Sequence, residues 1–293
     1  MRRHRHSSAT GAASASVEIT LGGGCAMEQT IDPAAVSRFE NETWSRCAES
    51  YADTFHLLTG KTIPLLVGAA GVRRGTRVLD LGAGAGDGTA MLVDTGAAVA
   101  GIDFARTMVA AARRRHPGFT FHEADAETLP FSEGAFDAVV SNCVVHHLAR
   151  PAAAFREVSR VLTPGGRFAF VVWASPEEQT GFGVFFAAVQ AHHTIEALPQ
   201  GPLFGVTDRA VYEKLAREAG LQGLQLTKHE VSWEMDRLDP LLRGLCDWGN
   251  IAALPSTVQD RIEATTRANA AAFQRDGRFV FPHSVLLGVM TKP

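Results

Sequence analysis

Three glycines stand at every second position, Gly82, Gly84 and Gly86, directly after the apolar run Val78-Leu-Asp-Leu81 and before a segment of helical pattern. Glycine at a strand-to-helix turn lets the chain adopt dihedrals that other residues avoid and lets a ligand reach the main chain. Two ligand classes use such a turn. A dinucleotide asks for G-x-G-x-x-G, with its pyrophosphate on the helix N-terminus. Counted from Gly82, that third glycine falls on Asp87, an acid that would repel a pyrophosphate. Asp80 adds a second acid just before the turn. Two carboxylates suit a ligand that carries an ammonium and a sulfonium, so the turn points to a cationic, phosphate-free ligand. An acid at Asp80 can also bond turn amides in a purely structural role.

The elements around the turn alternate. Short apolar strands are expected at Arg77–Leu81, Ala98–Ile102, Phe119–Ala124, Phe136–Ser141 and Arg167–Trp173, with helices at Thr89–Thr95, Arg106–Arg115 and Ala152–Leu162 between them. Strands separated by helices imply βαβ units, a parallel sheet and right-handed crossovers. Upstream, Asp32-Pro33 is a helix start, followed by expected helices at Ala34–Cys47, Glu49–Leu58 and Lys61–Ala70. Downstream, Gly181–His193, Asp208–Ala219 and most of Leu238–Arg275 read as helical, with strands at Gly223–Met235 and Phe279–Met290.

Composition bounds the answer. The 293 residues are 46% hydrophobic, enough to bury a full core. Lys and Arg number 28 against 31 Asp and Glu, and no basic groove or Asn-Pro-Pro-Tyr motif is visible, so a nucleic-acid partner is not expected. No run suits a membrane span. The four scattered cysteines form no C-x-x-C and read as free thiols of a cytoplasmic protein. Residues 1–31 begin Met1-Arg-Arg-His-Arg-His and turn Ser-, Ala- and Gly-rich, which reads as a disordered tail.

Asp80-x-Gly82-x-Gly84-x-Gly86 resembles the first motif of class I S-adenosylmethionine-dependent methyltransferases. Over about Arg77–Trp173 the match extends to Gly101-Ile-Asp103, to Asp125-Ala126 with Leu129-Pro130-Phe131, to Ser141-Asn142-Cys143-Val144-Val145-His146-His147-Leu148, and to Leu162-x-Pro164-Gly165-Gly166. The branch resembled is the small-molecule one, with ubiquinone/menaquinone C-methyltransferases and natural-product enzymes. The resemblance implies an α/β, Rossmann-like doubly wound sheet of seven mostly parallel strands, with an antiparallel C-terminal strand and a helical cap. It divides 32–293 into a core (about 72–173, 205–236 and 278–293) and a cap (about 32–60, 175–204 and 237–277). S-adenosyl-L-methionine would be the cofactor and S-adenosyl-L-homocysteine the product. The implied cofactor residues are Asp80, Gly82, Ala83, Gly84, Gly86, Asp103 for the ribose, Phe104, Met108, Asp125 and Ala126 for the adenine, and Asn142, Cys143 and His147 beside the methionine moiety. The alternatives are that Asp103 only caps the helix that follows it and that Asp125 is a loop acid.

Methyl transfer from a sulfonium is an in-line displacement, and alignment alone can contribute up to roughly 7–11 kcal/mol. The acceptor pocket should lie beyond the strand C-termini, roofed by Phe39–Phe55, Ser175–Phe204 and Leu238–Phe273. These aromatic and aliphatic segments suit a small, largely apolar aromatic or conjugated acceptor. Trp44, Phe55, Phe182 and Phe186 are the substrate candidates, against ordinary packing. Tyr51, His146 and His192 are the candidate bases, with His147 and His193 beside the two histidines as weaker ones; Tyr212 is expected to pack on the sheet. Adjacent histidines diverge and no H-E-x-x-H occurs, so no metal is expected. The function expected is methylation in natural-product metabolism, at carbon (for example of an indole) ahead of oxygen or nitrogen, by a monomer or homodimer. A nicotinamide-dependent oxidoreductase and a non-catalytic adenosyl-binding module are the alternatives.

Overall fold

The computed structural model describes residues 32–194 and 198–293; the expected tail, 1–31, lies outside them. Eight strands form one sheet: β1 Arg77–Leu81, β2 Ala98–Asp103, β3 Thr120–Glu123, β4 Phe136–Asn142, β5 Leu162–Trp173, β6 Gln222–Met235, β7 Gln274–Arg275 and β8 Arg278–Thr291. The order is β3-β2-β1-β4-β5-β8-β6, with the two-residue β7 paired to β8 outside that seven-strand path. β1 to β5 are mutually parallel, and β8 runs antiparallel to both its neighbours. The chain leaves β1 in one direction to build β2 and β3, then returns to β1's other side with β4. That reversal opens a crevice beyond the carboxyl ends of β1 and β4.

The helices are α1 Pro33–Cys47, α2 His56–Thr59, α3 Ile63–Ala70, α4 Asp87–Val93, α5 Arg106–Arg115, α6 Pro151–Val161, α7 Thr180–His192, α8 Arg209–Glu218, α9 Asp239–Trp248 and α10 Ser256–Ala270. Asp32 caps α1 by accepting from the Ala34 amide at 3.0 Å, with Pro33 in the first turn, where its missing N–H costs nothing. The single helix expected over Glu49–Leu58 is broken into a 3-10 turn, Tyr51–Asp53, and α2. The break falls at Thr54 (φ −127°, ψ −92°), whose hydroxyl bonds back to the Ser50 carbonyl at 2.7 Å. β5 starts five residues earlier than expected, at Leu162. Pro164-Gly165-Gly166 is therefore within the strand span, and Gly165 and Gly166 exchange backbone hydrogen bonds with Lys292 beyond β8.

β1 is buried on both faces from Val78 to Leu81, as a central parallel strand requires. Tyr212 packs on the sheet, fully buried, its ring 5.4 Å from that of Phe170, and its hydroxyl donates to the Val206 carbonyl at 2.8 Å. A separate cluster gathers Cys47, Phe55, Phe185, Trp233, Leu241, Leu245, Ile262 and Phe281 from α1, the N-cap of α2, α7, α9, α10 and two strands. Those strands are the outer parts of β6 and β8. Their pairing continues to Met235 and Phe279, beyond the last β5–β8 pair, Trp173 with Val285. The ribbon so formed stands past the sheet edge and carries the roof.

Candidate active site

The turn after β1 is tied down by its own chain. The Gly82 and Ala83 amides both donate to the Ile102 carbonyl (2.9 and 2.7 Å), Gly84 donates to Asp103 Oδ2 (2.9 Å), and Gly86 donates to the Ala83 carbonyl (3.0 Å). Gly82 has φ +84°, and a Cβ there would lie 2.2 Å from Val144 Cγ2; at Gly86, φ +89°, it would lie 2.8 Å from Phe121. These two glycines are fixed by packing as well as by any ligand. Asp87 is not a bare charge. Its Oδ1 pairs with Arg115 at 2.8 Å and lies 3.5 Å from His116, so the repulsion inferred from sequence is largely cancelled. The stronger argument against a pyrophosphate is that four turn amides are already bonded within the protein.

Asp80 points under the turn, where Oδ2 accepts from Thr89 Oγ1 at 2.6 Å, and it lines neither cavity described below. Burial pushes its carboxyl up to about 6, with the Asp103 charge adding to the effect. Burial likewise pushes Asp103 up to about 6. A carboxyl raised in the folded state contributes stability that is fully present below its unfolded value and lost as pH rises through about 6. The shift at buried Asp80 corresponds to about 3 kcal/mol. Asp80→Asn should therefore melt higher than the unsubstituted chain at pH 8, with the advantage fading as pH falls through about 6. Melting curves at pH 8 and pH 4 check this; an advantage that grows toward acid pH contradicts it.

Two cavities meet beyond the strand ends. The smaller, about 60 Å³, is lined by Gly82, Asp103, Phe104, Asp125, Ala126 and His147 of the expected set, joined by Ser37 and Glu40 from α1. Asp103 faces it while serving the backbone, since Oδ1 also accepts from the Ala105 amide at the start of α5 (2.9 Å). Both readings of Asp103, ligand group and helix cap, thus coexist. Asp125 Oδ1 accepts from the Glu127 amide at 2.9 Å.

The larger cavity, about 150 Å³, is bounded by Trp44, Tyr51, Phe55, Phe182, Phe186 and the expected neighbours Cys143, His146 and His147. Trp173, Phe204, Leu245 and Trp248 complete an apolar wall; the last three belong to the expected roof segments, and Trp173 lies outside them. Their segments share no motif and converge only through the roof. Among the described residues, no Lys, Arg, Asp or Glu lines this cavity, and His147 alone lines both. Gln179 is a wall residue whose amide is spent. Its Oε1 accepts from His283 Nδ1 (2.9 Å), its Nε2 donates to the Ser284 carbonyl (2.8 Å), and His283 Nε2 accepts from the Gly181 amide (3.2 Å). This pins the start of α7 to β8.

The remaining expected residues are placed elsewhere. Ala83, Gly84 and Gly86 shape the turn without lining either cavity, and Tyr51 lies over Gly84, with Cε1 3.7 Å from where a Cβ would be. Met108 is buried in α5 against the roof cluster. Asn142 faces the N-terminal segment, accepting from Thr62 Oγ1 (2.5 Å) and donating to the Thr59 carbonyl (2.9 Å). His192 lines neither cavity; at the end of α7 its Nε2 is 2.7 Å from Thr265 Oγ1 on α10, which removes it as a base for the crevice. Tyr51 hydrogen-bonds Thr59 Oγ1 at 3.2 Å, and burial drives its phenol well above the ordinary value, so it keeps its proton and is a poor base.

The adjacent histidines differ. His146 is 2% exposed, and neither ring nitrogen has a hydrogen-bond partner. Burial, with the His147 ring beside it, holds it neutral. His147 places Nδ1 3.0 Å from Glu40 Oε2, although the ring is turned so that an N–H there would not point straight along that line.

Residues 79–170 match the family described as a methyltransferase domain. That segment is similar to methyltransferase domains. Around it, similarity is partial. A demethylmenaquinone methyltransferase of Beutenbergia cavernae is 42% identical over 108 residues, 37% of this chain and 45% of that protein. The uncharacterized methyltransferase YcgJ of Bacillus subtilis is 34% identical over 144 residues, 47% of this chain and 57% of that one. The chain thus spans about half the length of the curated relatives it matches. The crystal structure of YcgJ superposes with a TM-score of 0.51 at 22% identity, covering 80% of this chain and 98% of that one. A Haemonchus contortus phosphoethanolamine N-methyltransferase 2, solved with S-adenosyl-L-methionine, superposes with 0.51 at 20% identity, covering 80% of this chain and 52% of that one. These likenesses establish the methyltransferase fold, with β8 as its antiparallel strand. No helix among the described residues is long and apolar enough to cross a membrane.

Proposed function

We propose that the chain is an S-adenosyl-L-methionine-dependent methyltransferase acting on a small, uncharged, planar acceptor. The observation that carries this is the pair of cavities meeting at His147 above the β1 turn, one acidic and one apolar. The acids and small residues that line the smaller cavity suit an adenosyl group. Asp103 would hold the ribose hydroxyls, Asp125 and Ala126 would border the adenine, and the committed turn amides leave no cradle for phosphates. When bound, the cofactor supplies an electrophilic methyl group on a positive sulfur.

The aromatic walls of the larger cavity orient the acceptor and exclude water, which favours alignment and prevents hydrolysis. With no charged residue among its described lining, this cavity does not suit a carboxylate, phosphate or ammonium acceptor. The two unpartnered nitrogens of neutral His146 suit one uncharged hydrogen-bonding group on the acceptor. Methylation at carbon, in natural-product metabolism, is the version favoured, and the relatives named for demethylmenaquinone support a conjugated acceptor. Methylation at oxygen or nitrogen of the same scaffold is the alternative.

Titration calorimetry with S-adenosylhomocysteine and with NADH separates this reading from a nicotinamide enzyme. S-adenosylhomocysteine should bind, and its affinity should rise by about tenfold from pH 5 to pH 8, because ribose hydroxyls donate to the ionised form of Asp103. Retention of NADH, with no uptake of S-adenosylhomocysteine at millimolar supply, would sink the proposal. Labelled methyl donor with a panel of indoles, naphthols and naphthohydroquinones then reads the acceptor class.

A further inference from the structure

The larger cavity has a carboxamide in its wall whose hydrogen bonds all run into the protein. Gln179 is 4% exposed and stands just before α7. Its Nε2 donates to two carbonyls, those of Ser284 (2.8 Å) and Ser175 (3.3 Å), which fixes the amide's orientation and turns Oε1 toward His283 Nδ1 at 2.9 Å. His283 is itself buried, and its other nitrogen, Nε2, faces the Gly181 amide at 3.2 Å. A backbone N–H can only donate, so Nε2 carries the lone pair and Nδ1 the proton, which goes to Gln179. Burial pushes the ring down to about 3 and so keeps it neutral. This approach needs a glycine: a Cβ at Gly181 would stand 2.9 Å from His283 Nε2 and 3.1 Å from Trp233. His283 does not line the cavity, so Oε1 is turned behind the wall.

We propose that His283 is a positioning residue that sets acceptor specificity through Gln179: by engaging the amide it leaves the α7 side of the pocket unable to bond a polar group, so the acceptor taken is a planar ring system with its polar group at one end only, the end at His146. This rests on the methyl-transfer reading above and narrows its acceptor. Trp173 stands between the two ends, its ring 6.4 Å from that of His146 and 6.1 Å from that of His283. At the first end, His146 brings two buried nitrogens without partners. At the other end, Phe182 lines the cavity with its ring 4.9 Å from that of His283. Gln179 beside it has both amide hydrogens donated to carbonyls and its oxygen drawn to His283. A polar group on the acceptor that reached this end would lose its water and gain no partner.

The test is calorimetry on the full chain saturated with S-adenosylhomocysteine, with two probes: a naphthol, and a naphthalenediol whose second hydroxyl is on the far ring. The unsubstituted chain should bind the naphthol about tenfold tighter, because the second hydroxyl of the diol is stripped of water without a partner. In His283→Leu, Gln179 Oε1 loses its donor and is free to accept from that hydroxyl, so the gap should shrink to about threefold or less. His283→Leu combined with Gln179→Leu should restore the gap, which mere loosening of the roof would not do. His283→Asn, which keeps an N–H for Gln179, should keep the preference. Equal or tighter binding of the diol by the unsubstituted chain overturns the proposal whatever the variants do. So does an unchanged gap in folded His283→Leu, or a gap that stays closed in the double variant. Should His283→Leu fail to fold, long-range 1H–15N spectra of the unsubstituted chain decide, with His283 assigned by its disappearance in His283→Asn. A neutral Nδ1–H ring from pH 5 to pH 8 is expected; an Nε2–H or charged ring overturns the proposal. Binding of neither probe would instead defeat the planar-acceptor reading, and failure to bind S-adenosylhomocysteine the methyl-transfer reading, while the spectra stand apart from both.

Discussion

Gly82→Ala should abolish measurable S-adenosylhomocysteine binding and lower stability by about 3 kcal/mol, the sum of a left-handed backbone penalty and local overpacking. The added methyl would stand 2.2 and 2.8 Å from the two γ-carbons of Val144 and 3.0 Å from its β-carbon. Rotating the valine cannot relieve that, because all three of its side-chain carbons are close. The β1 turn and the segment after β4 would be pushed apart at the crevice itself. In a protein of this size the melting temperature should drop by about 6 °C or more. Gly82→Ala combined with Val144→Ala should recover the overpacking part of the loss but not the left-handed penalty, since the backbone at φ +84° is unchanged. Calorimetry and thermal melts decide the matter; wild-type affinity in the single variant would mean that the turn is not a ligand-binding surface.

Asp103→Ala should weaken S-adenosylhomocysteine binding by about 100-fold, the scale of hydrogen bonds to a charged group. The side chain accepts from Gly84 and Ala105 at 2.9 Å each, so its loss also unties the turn from the start of α5. Asp103→Asn keeps an acceptor but loses the charge, and it should fall between alanine and the native residue. It should also remove the gain in affinity between pH 5 and pH 8. If that pH dependence persists in Asp103→Asn, another group is responsible.

The sheet was legible in the chain because its central strands are buried on both faces and therefore read as continuous apolar runs, Val78–Leu81 being the clearest. The convergence of Gly82, Asp103, Asp125 and Ala126 on the smaller cavity was legible for a related reason: all lie at strand ends, where order along the chain fixes position. Directions of side chains were not. Asp80 reads as a ligand group from its place before the turn, but Thr89, two helical residues into α4, captures it. His192 looks free at a helix end until α10 comes to lie against it. Glu40 was invisible because nothing local marks it. It reaches His147 only because α1 crosses above it, more than a hundred residues along the chain. Trp173 as a wall of the larger cavity was hidden in the same way, since it ends a core strand and meets the roof residues Phe204 and Trp248 only by long-range packing.

The ribbon of β6 and β8 that overshoots the sheet ties the roof to the antiparallel side of the fold, away from the strands that bear the glycine turn and Asp103. A lineage could therefore retailor the faces of α7 and α9 that look into the crevice, and with them the shape of the larger cavity, while inheriting the glycine turn and the smaller cavity unaltered.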